Sequence, residues 1–480
     1  MRFRLLGSIA LLLASSVARS GLSGEPAPNK TLAAKPPPVP SVPFEKYSLD
    51  NGFTVILHRD PTLPLCAINL WYHVGPANEP PGRSGFAHLF EHLMFEGSRH
   101  VGRQFDWLLE SVGATNVNGT TSWDRTNYFE TVPREHLELV LWIESDRMAT
   151  MLDGLDQERL DVQRDVVKNE RRQSYENSPY GPSSLALSNA LFPKGHPYNG
   201  AIIGSMADLS AATLDDVKQF FRTYYVPSNA TLAIAGDFES DEAKRLIKKY
   251  FGTLSSAPKP PRPNRTTPPL SAPQRLVIDE PVTLARVSMG WITPPAYTPD
   301  DSLLDVVTLI LAGGKSSRLY RKLVVEQQIA ADVDASLDSN ALASHEVVSA
   351  TAASGKSVEE LERSVSAVIA ELATQGPTPF ELARAKRRIQ VETLGNLELL
   401  NGPGGESGRA GLLQRFDHYL GDPGYLPKYL AQVSAVGAED VKRAAREFLK
   451  PEARVVVVTR PTQAPAKKDA AAPGAAKARP

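Results

Sequence analysis

Along the chain, short runs of alternating apolar and polar residues are interleaved with longer stretches of helical period. Tyr47 to His58 alternates and carries Asp50-Asn51-Gly52 at its centre, which predicts a hairpin. Leu65 to Val74 keeps a period of two and predicts a long strand, and Val117 to Val132 again reads as strand. Ser84 stands where it can cap a helix running to about Phe95 and closed by Gly97, and Asp156 opens a longer helix to about Tyr175. In the second half, Thr378-Pro379-Phe380-Glu381 is a capping box with proline at the first helical position. Strands and helices come in runs, which predicts an α+β fold with helices packed on a mostly antiparallel sheet.

The pattern occurs twice. At a constant offset, Ser210, Asp216, Val217, Lys218, Arg222 and Pro227 recur as Ser434, Asp440, Val441, Lys442, Arg446 and Pro451. Each copy then enters an apolar strand, Thr231 to Ala235 and Val455 to Val458. A helix, a proline-marked turn and a buried strand repeated in this way predict two homologous domains made by internal duplication. A proline-rich stretch, 256–273, separates them, so that the domains are expected over 45–255 and 274–461. Residues 21–44, with Lys35-Pro36-Pro37-Pro38, read as an extended tether, and 462–480 as a disordered tail.

Composition narrows the function classes. Of 480 residues 42% are hydrophobic and 22% charged, and the formal net charge is −1, so no basic field recruits nucleic acid. The lone Cys66 sits in an apolar run and reads as a packing residue. Arg2 and Arg4, the apolar run Leu5 to Ala14 and the small residues Ser16-Val17-Ala18 form a signal-peptide pattern over 1–20. An exported protein, periplasmic or secreted in a bacterium, is expected, with an uncleaved anchor as the alternative. No other segment reaches membrane-spanning length.

The sharpest chemical feature is Phe86-Ala87-His88-Leu89-Phe90-Glu91-His92-Leu93-Met94-Phe95. Four residues apart on a helix, His88 and His92 project from one face and can hold one zinc ion. Glu91 lies beside them, where a carboxylate can act as general base; H-x-x-E-H is the inverted-zincin pattern. The other reading, two histidines satisfied in a core, leaves polar groups on an apolar helix without partners. A third ligand has to come from elsewhere. On the helix from Asp156 to Tyr175, the stripe Val162, Val166 and Val167 predicts that Glu170 faces inward and supplies it. The alternative is a solvated Glu170 paired with Arg171 or Arg172.

These residues, with Phe95-Glu96-Gly97-Ser98 after the histidine helix, resemble the pitrilysin/insulinase family of metallopeptidases, and within it the half-length, processing-peptidase-like branch. The likeness covers about residues 45–461. Asn118-Gly119-Thr120-Thr121, followed by Asp124, Thr126, Asn127 and Tyr128, resembles that family's strand beside the zinc. The resemblance implies one zinc per chain on His88, His92 and Glu170, with Glu91 as general base for hydrolysis of peptides or unfolded polypeptide segments. It also implies a clamshell formed with a homologous partner chain or a second copy. Substrate adds to the edge strand near Asn118 and Thr121, with Tyr128 and Arg318 as further candidate contacts. Arg318 can equally be a structural cap on the Gly313-Gly314 turn.

Several positions depart from the family pattern. Gln163 stands where many relatives carry a second glutamate. Asp305, Thr308 and Leu309 replace the metal-binding set in the second copy, so a single metal site is expected. Val324 and Ala331 occupy the places of an Arg and a Tyr that contact substrate in many relatives, which raises the expectation of a heterodimer whose partner supplies that pair. A non-catalytic assembly subunit that keeps the fold is the competing reading.

Overall fold

The computed structural model describes residues 40–462 apart from 265, 266, 268, 269 and 271. The expected signal peptide, residues 21–39 of the tether and residues 463–480 of the tail lie outside the described residues.

The first sheet contains β1 (Glu45–Ser48), β2 (Thr54–Arg59), β3 (Leu65–Tyr72), β4 (Thr115–Ser122), β5 (Arg125–Pro133) and β6 (Ala230–Gly236), in the order β1-β2-β6-β3-β5-β4. Only β2 and β6 run parallel; the other neighbours are antiparallel. The hairpin read from Asp50-Asn51-Gly52 is present, with Tyr47 opposite Val55. Asn51 ties its turn down by donating to the carbonyls of Phe251 and Leu254 at 2.8 and 3.1 Å.

The second sheet contains β7 (Gln274–Glu280), β8 (Arg286–Thr293), β9 (Ala330–Asp338), β10 (Ser344–Ala352) and β11 (Val455–Pro461), in the order β7-β11-β8-β10-β9. Its one parallel pair, β7 and β11, occupies the place of β2 and β6. Strand for strand, the order repeats β2-β6-β3-β5-β4. The repeated helices also correspond. In Leu214–Tyr224 the capping residue Thr213 exchanges bonds with Asp216, and Val217, Phe220 and Phe221 are buried. In Ala438–Phe448, Asp440 caps the N–H of Gly437 while Val441, Ala444 and Ala445 are buried. The chain therefore has two domains of one type, each a mixed, mostly antiparallel sheet with helices against it.

The domains interlock in a way the sequence reading did not foresee. The helix Gly181–Leu191 lies in the first half of the chain but covers the second sheet: Leu187 and Leu191 pack with Val455 and Val457 of β11. Its Ser183 N–H donates to Glu280 of β7 at 2.9 Å, and Thr459 of β11 donates to the Ser183 hydroxyl at 2.6 Å. Reciprocally, the helix Gly408–Leu420 covers the first sheet. Ala410 and Leu413 meet Ile56, Ala233 and Ala235, and Gln414 donates to the carbonyls of Asn69 and Thr231, both at 2.7 Å. The exchange follows from β6, which is buried at every position and so needs cover on both faces.

The expected tether ends earlier than residue 44. Val42 and Phe44 pack on the cluster around Ile56 and Ala233, and the Pro43 carbonyl lies 2.7 Å from Nδ1 of His58. Apolar side chains at alternate positions make this last stretch part of the core. Cys66 is buried and donates to the Asp237 carbonyl at 3.0 Å, and burial pushes its thiol up to about 12, as suits a packing residue. Among the described residues no helix is long and apolar enough to cross a membrane.

Candidate metal centre

The histidine helix spans Phe86–Leu93 and buries Phe86, Leu89, Phe90 and Leu93 in the first core. Ser84 does not cap it. Gly85, at φ 88°, is the capping position, and a Cβ there would stand 2.6 Å from the Ile203 carbonyl oxygen. The Ser84 hydroxyl instead donates to Asp208. The first N–H groups of the helix go to a residue the sequence reading missed: Glu79 accepts from Gly85 and Ala87 at 2.9 and 2.8 Å. A glutamate a few residues ahead of a glycine-entered helix was the available signal. Burial pushes the Glu79 carboxyl up to about 8, against these backbone bonds.

His88 and His92 face each other with ring centroids 4.8 Å apart. Their Nε2 atoms lie 3.6 and 3.3 Å from Oε2 of Glu170. One ligand atom from each of the three lies within 4.8 Å of the others, and they form the single such group among the described residues. Two imidazoles and one carboxylate converging on one point fit a zinc ion with a position left open. Burial lowers His88 to about 4. For His92, burial opposes the charged form, but the hydrogen bond to Glu170 and the nearby Glu91 raise its pKa. The same bond, followed by the charges on both histidines, lowers Glu170.

Glu170 reaches this point by a different helical phase from the one expected. On Gln157–Arg171, Val162 and Val166 are 50% and 41% exposed, and the buried positions are Leu160 and Val167. Glu170 follows Val167 by one turn, at the edge of the buried face, and stays half-exposed. It does not pair with its arginine neighbours. Arg171 contacts Glu176 at 3.3 Å, and Arg172 donates to Asn169 at 2.5 Å. A widened π-helical turn, Arg172–Glu176, begins two residues later and carries Tyr175 into the wall of the site. Gln163, one turn before Val167, donates to Glu96, and its amide oxygen accepts from His92.

Glu91 is held by Thr121, whose hydroxyl donates to Oε2 at 2.6 Å, and burial raises its carboxyl above the usual range. Thr121 and Gly119 belong to β4, the edge strand of the sheet. A Cβ on Gly119 would come within 3.0 Å of Cγ of Glu91, so glycine leaves the carboxylate room. A cavity of about 510 Å³ opens here, lined by His88, Glu91, Gly119, Thr121, Glu170 and Tyr175. Asn118 is exposed on the same strand.

Two expected substrate contacts sit elsewhere. Tyr128 is 1% exposed and its hydroxyl is taken up by the Phe90 carbonyl and Tyr225 at 3.3 and 3.1 Å, because alternation on β5 turns it into the core. Arg318 forks onto Glu381 with two 2.8 Å bonds and donates to the Gly376 carbonyl at 2.7 Å, which braces the capping box of Pro379–Asn396. In the second domain the counterpart helix Pro299–Ala312 carries Asp305, bonded by Tyr429 at 2.9 Å, and Thr308, which donates to Glu346 at 2.7 Å.

Two interlocked α+β domains with this group beside an edge strand define a class of peptidase-related proteins. The family described as "Insulinase (Peptidase family M16)" matches residues 54–193, and "Peptidase M16 inactive domain" matches residues 211–389. The chain belongs to the pitrilysin/insulinase family. It is 29% identical to the zinc protease PqqE of Helicobacter pylori over 87% of this chain and 93% of that one. To the uncharacterized zinc protease YmxG of Bacillus subtilis it is 25% identical, over 84% and 95%. A crystal structure of a protease from Helicobacter pylori superposes with a TM-score of 0.81 at 27% identity, covering 88% of this chain and all of that one. The periplasmic protease PqqL from Escherichia coli shares the fold, with a TM-score of 0.69 at 18% identity over 87% of this chain and 48% of that one.

Proposed function

We propose that this chain is an exported zinc metalloendopeptidase that hydrolyses peptides or unfolded polypeptide segments. The observation that carries the reading is the convergence of His88, His92 and Glu170 beside a carboxylate, Glu91, that hydrogen-bonds to none of the three and that Thr121 aims into the same cavity. Bound to the first three, zinc supplies a Lewis acid at the foot of that cavity. Glu91 takes the proton of the attacking water and returns it to the leaving amine. The edge of β4 offers its unpaired main-chain groups to an extended peptide, as a strand added to the sheet. Export rests on the pattern of residues 1–20, and the presence of the protein in a periplasmic or culture fraction is its check.

The test is turnover of a quenched fluorogenic peptide by the purified chain. Glu91→Gln is expected to cut kcat by ~10²–10⁴ while the metal stays. Undiminished hydrolysis by that variant contradicts the mechanism.

A homologous partner chain carrying an Arg and a Tyr in its second domain completes the proposal. Here Val324 packs against the second core and Ala331 is exposed on β9, so neither offers a donor. Adding such a chain should raise kcat; full activity of this chain alone argues for a homodimer. The same positions favour the second reading, a non-catalytic assembly subunit, which predicts zinc binding without turnover under either condition.

A further inference from the structure

A second polar cavity, of about 690 Å³, lies where the tip of the β4–β5 hairpin meets the second domain. It adjoins the first along β4, since Thr121 lines both. Across it stands the helix Pro299–Ala312, the second domain's counterpart of the histidine helix, presenting Asp305 and Thr308. Neither the zinc chemistry nor the general base uses this space.

Arg415, from the helix Gly408–Leu420, enters its wall. Among the described residues its guanidinium makes no hydrogen bond or ion pair; it lies 5.7 Å from the ring centre of Tyr297. The nearby carboxylates act on it through their charge, but the hydrogen bonds they accept come from other groups. Glu406 is held by Arg125, with the Nε bond at 2.9 Å. Asp301 accepts from the Tyr297 N–H at 2.8 Å and from the hydroxyls of Ser339 and Ser344 at 2.7 and 3.2 Å. Asp305 accepts from Tyr429, and burial raises its carboxyl to about 7, so near neutral pH it carries less than a full charge. Asp338 stands 3.7 Å from His345, and Glu392 pairs with Arg388 at 2.7 Å. The guanidinium thus lines the cavity with no hydrogen bond of its own, its charge met only at a distance by Glu406, an arrangement that favours a planar anion able to take two of its N–H groups at once.

We propose that this cavity is a subsite for a carboxylate of the peptide lying on β4, bound by Arg415. Tyr297 and Tyr419 flank the apolar stem that carries the carboxylate. The inference rests on the peptidase reading, because β4 has to hold the peptide for the cavity to meet it. The carboxylate is that of an Asp or Glu side chain or of the peptide's own C-terminus; the chemistry is the same and the test separates the sources.

The test uses the zinc-loaded Glu91→Gln chain, so that binding is read without cleavage, and fluorescence anisotropy of four labelled peptides of one sequence. One ends in an amide, one in a free carboxylate, and an amide-ended pair differs by an internal Glu or Gln. At least one carboxylate peptide is expected to bind about tenfold or more tightly than its neutral twin, in line with a charge-assisted pair. Arg415→Gln should close that gap while leaving affinity for the neutral peptides unchanged, which also reports that the variant is folded, and Arg415→Lys should retain part of it. Equal affinities for all four peptides, no binding of any, or a preference that survives Arg415→Gln overturns the proposal. Hydrolysis by the wild-type chain is read separately: failure to cleave with the carboxylate preference intact defeats the peptidase reading and not the subsite.

Discussion

The hydroxyl of Thr121 donates to Oε2 of Glu91 at 2.6 Å and so joins the edge strand β4 to the histidine helix at the carboxylate assigned as general base. This bond sets the direction in which Glu91 points. Thr121→Val is expected to lower kcat by about ten- to a hundredfold, the range for losing a hydrogen bond to a charged group, with zinc content unchanged. Thr121→Ser should recover most of the activity. Loss of zinc in Thr121→Val, measured by metal analysis, would show that the residue supports the ligands instead.

Arg147 is fully buried beneath the histidine helix. It pairs with the equally buried Glu144, lies 4.2 Å from the ring centre of Phe105 and donates to the Met94 carbonyl at 3.4 Å. A second buried carboxylate, Glu130, feels the same charge. Removing the cation leaves both acids without it, so Arg147→Met should destabilise the protein by about 3–5 kcal/mol. Urea unfolding measures this; a loss under about 1 kcal/mol, the range of exposed ion pairs, would contradict the buried placement.

His73 and His418 bring the two domains together, Nδ1 to Nδ1 at 2.7 Å, while Nε2 of His73 lies 2.9 Å from the Thr231 hydroxyl. One imidazole must donate and the other accept, so the two cannot both be charged. Burial holds both well below the usual histidine range. The unfolded chain therefore takes up protons first. The stability these residues confer is complete above about pH 6.5 and falls as the pH drops towards their folded values, by about 1.4 kcal/mol per pH unit for each histidine. Urea midpoints between pH 7 and pH 5 should fall less steeply in a His73→Gln/His418→Gln variant; an unchanged slope would assign the acid sensitivity to other groups.

Much of this was legible in the sequence wherever local pattern and local chemistry agree. The H-x-x-E-H helix, the Asp50-Asn51-Gly52 hairpin, the Thr378 capping box and the repeated helix-turn-strand unit are each specified within a few residues. What escaped depends on partners far along the chain. Glu170 stands beside the two histidines, but the stripe that pointed to it is not the buried one, because Val162 and Val166 are exposed valines that imitate a buried face. Tyr128 and Arg318 looked like surface contacts until Tyr225 and Glu381 took their polar atoms. The exchange of Gly181–Leu191 and Gly408–Leu420 between sheets could not be read from either helix alone, since an apolar face does not state which sheet it will cover.

Zinc content per chain tests the central claim most directly. The wild-type chain and Glu91→Gln should each hold about one zinc, Glu170→Gln should hold it more weakly, and His88→Ala/His92→Ala should hold none. Near-stoichiometric zinc in the double-histidine variant would contradict the assignment of the site.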